Sequence, residues 1–213
     1  MKKDVEAILN KLETMHGKPR AELNYSNPLE LTVAVVLSAQ CTDERVNRVT
    51  ENLFKRYRSL EDYLDAPQER LEEEIRPTGF YRNKARSLKS IAAELKGRFG
   101  GRVPEDIDAF ATVKGIGRKS ANMIVGLAYW KPAIIVDTHM IRVANRIGLT
   151  QNEEPNKIEQ DLRRIVPEDR WTGFSLLMIL HGRYICKARK PDCPSCLLRE
   201  ECDYFQKGLY KSP

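Results

Sequence analysis

"VKGIGRKSANMIVG", residues 113–126, sets two glycines one residue apart and follows them at once with Arg118 and Lys119, where an apolar helix begins. A glycine inside a helix costs roughly 1 kcal/mol relative to alanine, so Gly115 and Gly117 read as a turn before the helix. A bare turn feeding a helix N-terminus presents unpaired N–H groups and the positive end of the helix dipole, which suits an anion such as phosphate. A tight connection between two helices is the alternative reading of the same glycines. The dinucleotide fingerprint Gly-x-Gly-x-x-Gly fails, because its third glycine position is Ser120 and no strand precedes the turn.

Outward from this turn, nearly every periodic segment has helical spacing. Val5, Ile8, Leu9, Leu12 and Met15 mark a first helix, and Asn27, Pro28 and Glu30 supply a cap, a first-position proline and a third-position acid for a second. Val46, Val49, Leu53, Phe54 and Tyr57 predict a third, and further helices are predicted over 67–75, 83–98, 106–112, 117–129, 138–147, 156–165 and 171–184. "AIIV", residues 133–136, is the best strand candidate, but one short run has no partner. The predicted fold class is all-α.

The formal net charge of +6 is concentrated. Residues 81–103 carry seven Lys/Arg and one acid, while the rest of the chain carries 29 charges of each sign. Within this stretch Leu88, Ile91, Ala92, Leu95 and Phe99 form an apolar helical face, and Arg82, Arg86, Lys89 and Lys96 fall along another. Such a stripe is either a footprint for a polyanion or a solvated helix face.

Four of the five cysteines crowd into 17 residues, where Cys186, Cys193, Cys196 and Cys202 give C-x6-C-x2-C-x5-C. Four thiolates so placed can close around one centre. Zinc accepts such a set, but the long first gap departs from the paired C-x2-C ribbons of structural zinc, so an iron-sulfur cluster is the better reading. A [4Fe-4S] core of charge 2+ on four thiolates would lower the net charge to roughly +4. Lys187, Arg189 and Lys190, in the first gap, would offset part of that negative charge and could touch phosphate. Cys41 is left over and is expected to be a buried thiol.

At 213 residues, 41% hydrophobic and 31% charged, the chain suits one sizeable domain or two small ones sharing a core. It has no apolar run approaching the roughly 20 residues that cross a bilayer, and its start reads as an amphipathic helix without a signal-peptide core, so a cytoplasmic location is expected.

Taken together, "LSAQCTD", "TGFYRNKA", "VPED", "GIGRKSAN", "VDTH", "HGRYIC" and the four-cysteine pattern resemble the endonuclease III family of DNA glycosylases in order and approximate spacing, over almost the whole chain. The resemblance implies two lobes with a DNA cleft between them. A six-helix lobe, about 22–132, would carry a helix-hairpin-helix around Gly115 and Gly117, and residues 1–21 with 133–213 would form a second helical lobe holding a [4Fe-4S] cluster on the four cysteines. It also implies a bifunctional enzyme that removes oxidised pyrimidines and cleaves the resulting abasic site. The implied partner is duplex DNA bearing damaged pyrimidines or abasic sites, with no membrane and a monomeric enzyme. One departure is visible: Lys114 stands where relatives commonly have proline.

The resemblance assigns roles residue by residue. Gly115, Gly117 and Arg118 would hold a DNA phosphate. Lys119, in the first turn of its helix, would attack the sugar C1′; the dipole there disfavours an ammonium, and burial in a cleft would further lower its pKa and leave a nucleophilic amine. Asp137, otherwise a good N-cap before "THMIRVANRI", would be the catalytic carboxylate, while His139 reads as a packed or hydrogen-bonded histidine. Extruding a nucleotide leaves a hole, for which Gln40 is the implied polar plug and Phe80 the apolar wedge. Ser38 and Asp43 would line the base pocket. A mismatch glycosylase of the same superfamily is disfavoured by Lys119, and a purely DNA-binding or redox protein by the pairing of Lys119 with Asp137.

Overall fold

The computed structural model describes residues 3–210, and among these every regular element is helical. In chain order the helices are α1 (Val5–His16), α2 (Pro28–Ser38), α3 (Asp43–Arg56), α4 (Leu60–Asp65), α5 (Gln68–Ile75), α6 (Tyr81–Arg98), α7 (Ile107–Ala111), α8 (Arg118–Tyr129), α9 (Thr138–Ile147), α10 (Pro155–Ile165), α11 (Trp171–Tyr184) and α12 (Asp203–Gln206). Two 3₁₀ turns, Arg76–Thr78 and Glu168–Arg170, precede α6 and α11. None of the described helices is long and apolar enough to cross a membrane. The chain divides into two compact units, Met1–Arg20 with Pro132–Pro213, and Ala21–Lys131.

In the Ala21–Lys131 unit, α2 is the central helix. Asn27 Oδ1 caps it by accepting the Glu30 N–H at 2.9 Å, and the Glu30 carboxylate accepts the N–H of Ser26, the residue before the cap, at 2.6 Å. Leu31 to Val35 and Leu37 are all buried, so α2 keeps no polar face, and α3, α6 and α8 pack around it. Helix α6 turns Leu88, Ile91, Ala92 and Leu95 inward against α4 and α5. Its basic stripe is engaged internally: Lys96 pairs with Glu61 at 3.0 Å, Arg82 with Glu72 at 3.8 Å, and Lys89 Nζ donates to the Ala66 carbonyl at 2.5 Å. Arg82, Lys89 and Lys96 thus tie α6 to its neighbours while the Arg82 and Lys96 side chains stay mostly in solvent, and Arg86 bonds only to Asn83 and Arg82 of the same helix.

In the other unit α11 is buried at Thr172 and from Phe174 to Gly182, with α1 and α9 packed on it. Gly182 permits this approach, since a Cβ there would lie 2.7 Å from His139 Cβ. The strand candidate is not a strand. Residues 133–136 are all buried without alternation, and the segment lies along α11, whose hydroxyls catch its backbone: Thr172 Oγ1 accepts the Ala133 N–H at 3.1 Å, and Ser175 Oγ the Ile135 N–H at 3.0 Å. Side-chain acceptors thus satisfy a buried backbone that has no sheet to join.

Candidate functional site

The glycine turn joins α7 to α8. Val113 and Ile116 are buried on either side of it, and hydrogen bonds from Val113 N to Phe110 O and from Ile116 N to Val113 O, at 3.1 and 2.9 Å, hold it tight. Gly115 has φ +98, a left-handed backbone that only glycine adopts without strain, and it sits against Ile91 and Ser87 of α6. Gly117 is different: its φ of −86 suits any residue, and what its missing side chain provides is open space before the helix. As N-cap of α8 it has no side chain with which to cap the helix start.

Lys114 has a use for the N–H that proline would lack. It donates to Glu94 Oε1 at 3.0 Å; Glu94 also pairs with Arg98 at 2.6 Å, and Arg98 Nη2 donates to Thr112 Oγ1 at 2.7 Å. These bonds draw the Glu94 carboxyl below its ordinary range, the Lys114 N–H being the larger cause. A hydrogen-bond chain from α6 thereby restrains the turn where ring rigidity is absent.

Arg118 and Lys119 open α8. Arg118 forms an ion pair with Asp108 of α7, which braces the hairpin. Lys119 is exposed, which corrects the expectation of a buried amine. A first-turn side chain points back past the helix start, and the residue there is a glycine that covers nothing.

Gln40 and Phe80 share an unusual conformation. Both are exposed, Phe80 at 63%, and both are non-glycine residues in the left-handed region, with φ of 54 and 49. Each costs on the order of 1–2 kcal/mol, so the surrounding structure must hold them there. Ser38 ends α2 with its Oγ donating to Val35 O at 2.9 Å, and Asp43 is the first residue of α3, after its Thr42 cap. Cys41 lies between them, half-buried in a turn and therefore not the core thiol expected. Lys84 was not among the expected site residues. Its ammonium is buried and bonded to the carbonyls of Leu37 and Thr78 at 2.9 and 2.8 Å. The signal for it was present: Lys84, Leu88, Ile91 and Leu95 follow 4-3-4 spacing, so the lysine stands on the apolar face.

Asp137 is the N-cap of α9, its Oδ1 accepting the Met140 N–H at 2.7 Å. A carboxylate offers about four acceptor sites, so capping leaves it most of its capacity for other work. His139 is half-buried, its Nδ1 3.2 Å from an Arg142 guanidinium nitrogen.

The four-cysteine loop is tied down by α9. Arg142 donates to Cys186 O and Gly182 O at 3.0 and 2.8 Å, and Arg146 to Lys187 O and Ala188 O at 2.8 and 3.1 Å. Donors also reach the sulfurs: Arg146 Nη1 lies 3.4 Å from Cys186 Sγ and the Leu198 N–H 3.4 Å from Cys196 Sγ, while His181 Nε2 is 3.6 Å from Cys196 Sγ with its tautomer setting which of the two donates. None of the four is in a disulfide, and each of Cys193 and Cys196 has its thiol pushed up to about 11, first by burial and further by the neighbouring cysteines. Free, mutually close thiols with N–H groups aimed at sulfur fit a thiolate-bound cluster. Among the described residues, no three His, Cys, Asp or Glu side chains are gathered into a metal-ion site. Lys187, Arg189 and Lys190 are all exposed on this loop, Lys190 in the left-handed region.

Residues 33–168 match the family model described as HhH-GPD superfamily base excision DNA repair protein. The chain is 43% identical over 214 residues to endonuclease III of Bacillus subtilis (strain 168), covering 98% of each sequence. Among solved structures it is similar to a trapped endonuclease III-DNA covalent intermediate, the estranged-adenine complex, with a TM-score of 0.91 and 42% identity, and to a non-covalent endonuclease III-DNA complex, with a TM-score of 0.91 and 43% identity. Each match covers 97% of both chains.

Proposed function

The chain belongs to the HhH-GPD superfamily of base excision DNA repair proteins and, within it, to the endonuclease III family, and from that premise we propose that it excises oxidised pyrimidines from duplex DNA and cleaves the abasic site by β-elimination through a Schiff base on Lys119. Membership makes it a DNA glycosylase with abasic-site lyase activity; the lesion class and the residues that do the chemistry are the proposal. The observation that carries it is Lys119 itself, an exposed amine in the first turn of α8 directly after the uncapped, bare Gly117.

The turn N–H groups would hold a backbone phosphate and fix the sugar beside Lys119. Its amine nitrogen, unprotonated, attacks C1′; the glycosidic bond breaks, and its electron pair leaves with the base, which takes a proton. The sugar ring opens to an iminium linking C1′ to Lys119. Loss of a C2′ proton then expels the 3′ phosphate, and water hydrolyses the imine to free the lysine. The Asp137 carboxylate would stabilise the positive charge developing on the sugar and move protons at the amine. Ser38 and Asp43 supply polar groups suited to a ring-saturated, hydroxylated base.

The test is borohydride trapping on duplexes that differ in one lesion. A ring-saturated pyrimidine should give covalent adduct about 100-fold faster than a mismatched thymine, since a site built to hydrogen-bond extra polar groups rejects an analogue lacking them. A preference for mismatched thymine or an oxidised purine would overturn the lesion assignment.

Cys186, Cys193, Cys196 and Cys202 would hold a [4Fe-4S] cluster, which when bound supplies iron-thiolate links across the loop that carries Lys187, Arg189 and Lys190. Neither reaction step needs an electron, so its role is structural. Protein purified anaerobically should be brown with about four irons per chain. Cys196→Ser should lower folded yield and duplex affinity together. Colourless active protein holding one zinc would refute the cluster, and a folded Cys196→Ser that binds DNA normally but loses turnover would refute the structural role.

A further inference from the structure

Among the described residues Lys84 is the only lysine or arginine that is buried, at 5% exposed. Its ammonium donates to backbone carbonyls, not to a carboxylate, and the choice of carbonyls matters. Leu37 O belongs to the last turn of α2, and Thr78 O to the end of the 3₁₀ turn Arg76–Thr78. Both are helix-terminal oxygens with no further helix to bond, and both carry the negative end of a dipole that a cation satisfies. Gln40 follows Leu37 by three residues and Phe80 follows Thr78 by two, so one ammonium sits at the root of both left-handed residues. A cavity of about 300 Å³ in this unit is lined by Gln40, Phe80 and Lys84 together with Gly115 of the hairpin.

We infer that Lys84 is a positioning residue for nucleotide extrusion: its buried ammonium locks the Gln40 and Phe80 loops into a single rigid wedge, so that plug and wedge enter the duplex as one body. The inference rests on the duplex-entry role proposed for Gln40 and Phe80. Charge-assisted bonds from one nitrogen to two carbonyls fix the separation of the two loops. Without them each loop can relax its strained residue independently, and DNA binding must then order both, a cost that appears only when a base stack has to be invaded.

The experiment compares borohydride trapping at the same abasic site in two duplexes, one intact and one with a one-nucleotide gap opposite the site, where there is no opposing base to displace. Lys84→Met keeps the stem and removes the donors. It should lower the intact-to-gapped rate ratio about tenfold or more, because even a misplacement of about 1 Å in a positioning element can cost on the order of 100-fold. It should also abolish the fluorescence rise of a 2-aminopurine placed beside the opposing base. Lys84→Arg, which retains donors for both carbonyls, should recover at least half of the ratio. Gln40→Ala and Phe80→Ala are measured alongside. If they leave the ratio unchanged, the duplex-entry reading fails and the inference with it. If they lower the ratio but Lys84→Met does not, only the clamp is refuted. Equal losses on both substrates for Lys84→Met make the lysine merely structural and overturn the inference. If Lys84→Met does not accumulate as folded protein, Lys84→Gln, whose shorter amide cannot span both carbonyls, is held to the same ratio.

Discussion

Lys119→Gln loses strand cleavage at an abasic site by about 10³-fold or more, while duplex affinity falls by no more than about tenfold. The first figure is what removal of a covalent nucleophile typically costs, because no other step of the route proceeds without the bond it forms. The second is the loss of at most one phosphate contact among several. The substitution suits the site: Lys119 is exposed on the first turn of α8, so glutamine of similar reach creates no cavity and removes no packing. The hairpin that would grip phosphate rests on elements elsewhere, the buried Val113 and Ile116 and the Glu94–Arg98–Thr112 chain, none of which involves the Lys119 side chain. Trapping and binding measured on one abasic duplex separate the two effects. A borohydride adduct of wild-type yield from the glutamine variant would place the nucleophile elsewhere.

The helices were legible where periodicity and caps agreed. Asn27, Pro28 and Glu30 mark the start of α2, and the structure shows the Asn27 cap on the Glu30 N–H, while the Glu30 carboxylate takes the Ser26 N–H one residue before the cap. Helix α4 escaped notice because six residues carry too few turns for a period; its signal was the capping box of Ser59 and Asp62, a local pattern only. The run 133–136 looked like a strand because burial on every side resembles a sheet core, whereas its N–H partners, Thr172 and Ser175, are about forty residues away. No local rule reaches that far. The cysteine spacing could be read at once, since four cysteines lie within one short loop, but the α9 arginines that anchor it could not.

The glycine pair looks like one device in the sequence, yet only Gly115 is required by its backbone angle; Gly117 has an ordinary φ and no neighbour that a Cβ would meet. Basic residues misled in the opposite sense. Charge counting grouped Arg82, Arg86, Lys89 and Lys96 as a surface and passed over Lys84, the one whose position on the apolar face marks it as buried. Sequence charge reports how many cations there are, whereas the helical period reports which of them leave water.

Asp137→Asn should reduce turnover by about 10²-fold or more with the fold intact, an effect that its structural role cannot produce. Asp137 caps α9 through Oδ1 and the Met140 N–H, and asparagine offers a carbonyl oxygen in the same place, so the two residues cap almost equally well. The negative charge is what the substitution removes. In the proposed chemistry that charge faces the cation forming at C1′, where a preorganised group contributes far more than it would in water. Asp137→Ala supplies the contrast, because it loses charge and cap together. It should match the asparagine variant in rate while melting a few degrees lower, as the loss of a cap worth about 1 kcal/mol implies for a chain of this size. Rates and thermal midpoints of the three proteins therefore separate the two jobs. Near-normal turnover by Asp137→Asn, with loss only in Asp137→Ala, would leave Asp137 as a helix cap and require another carboxylate for the reaction.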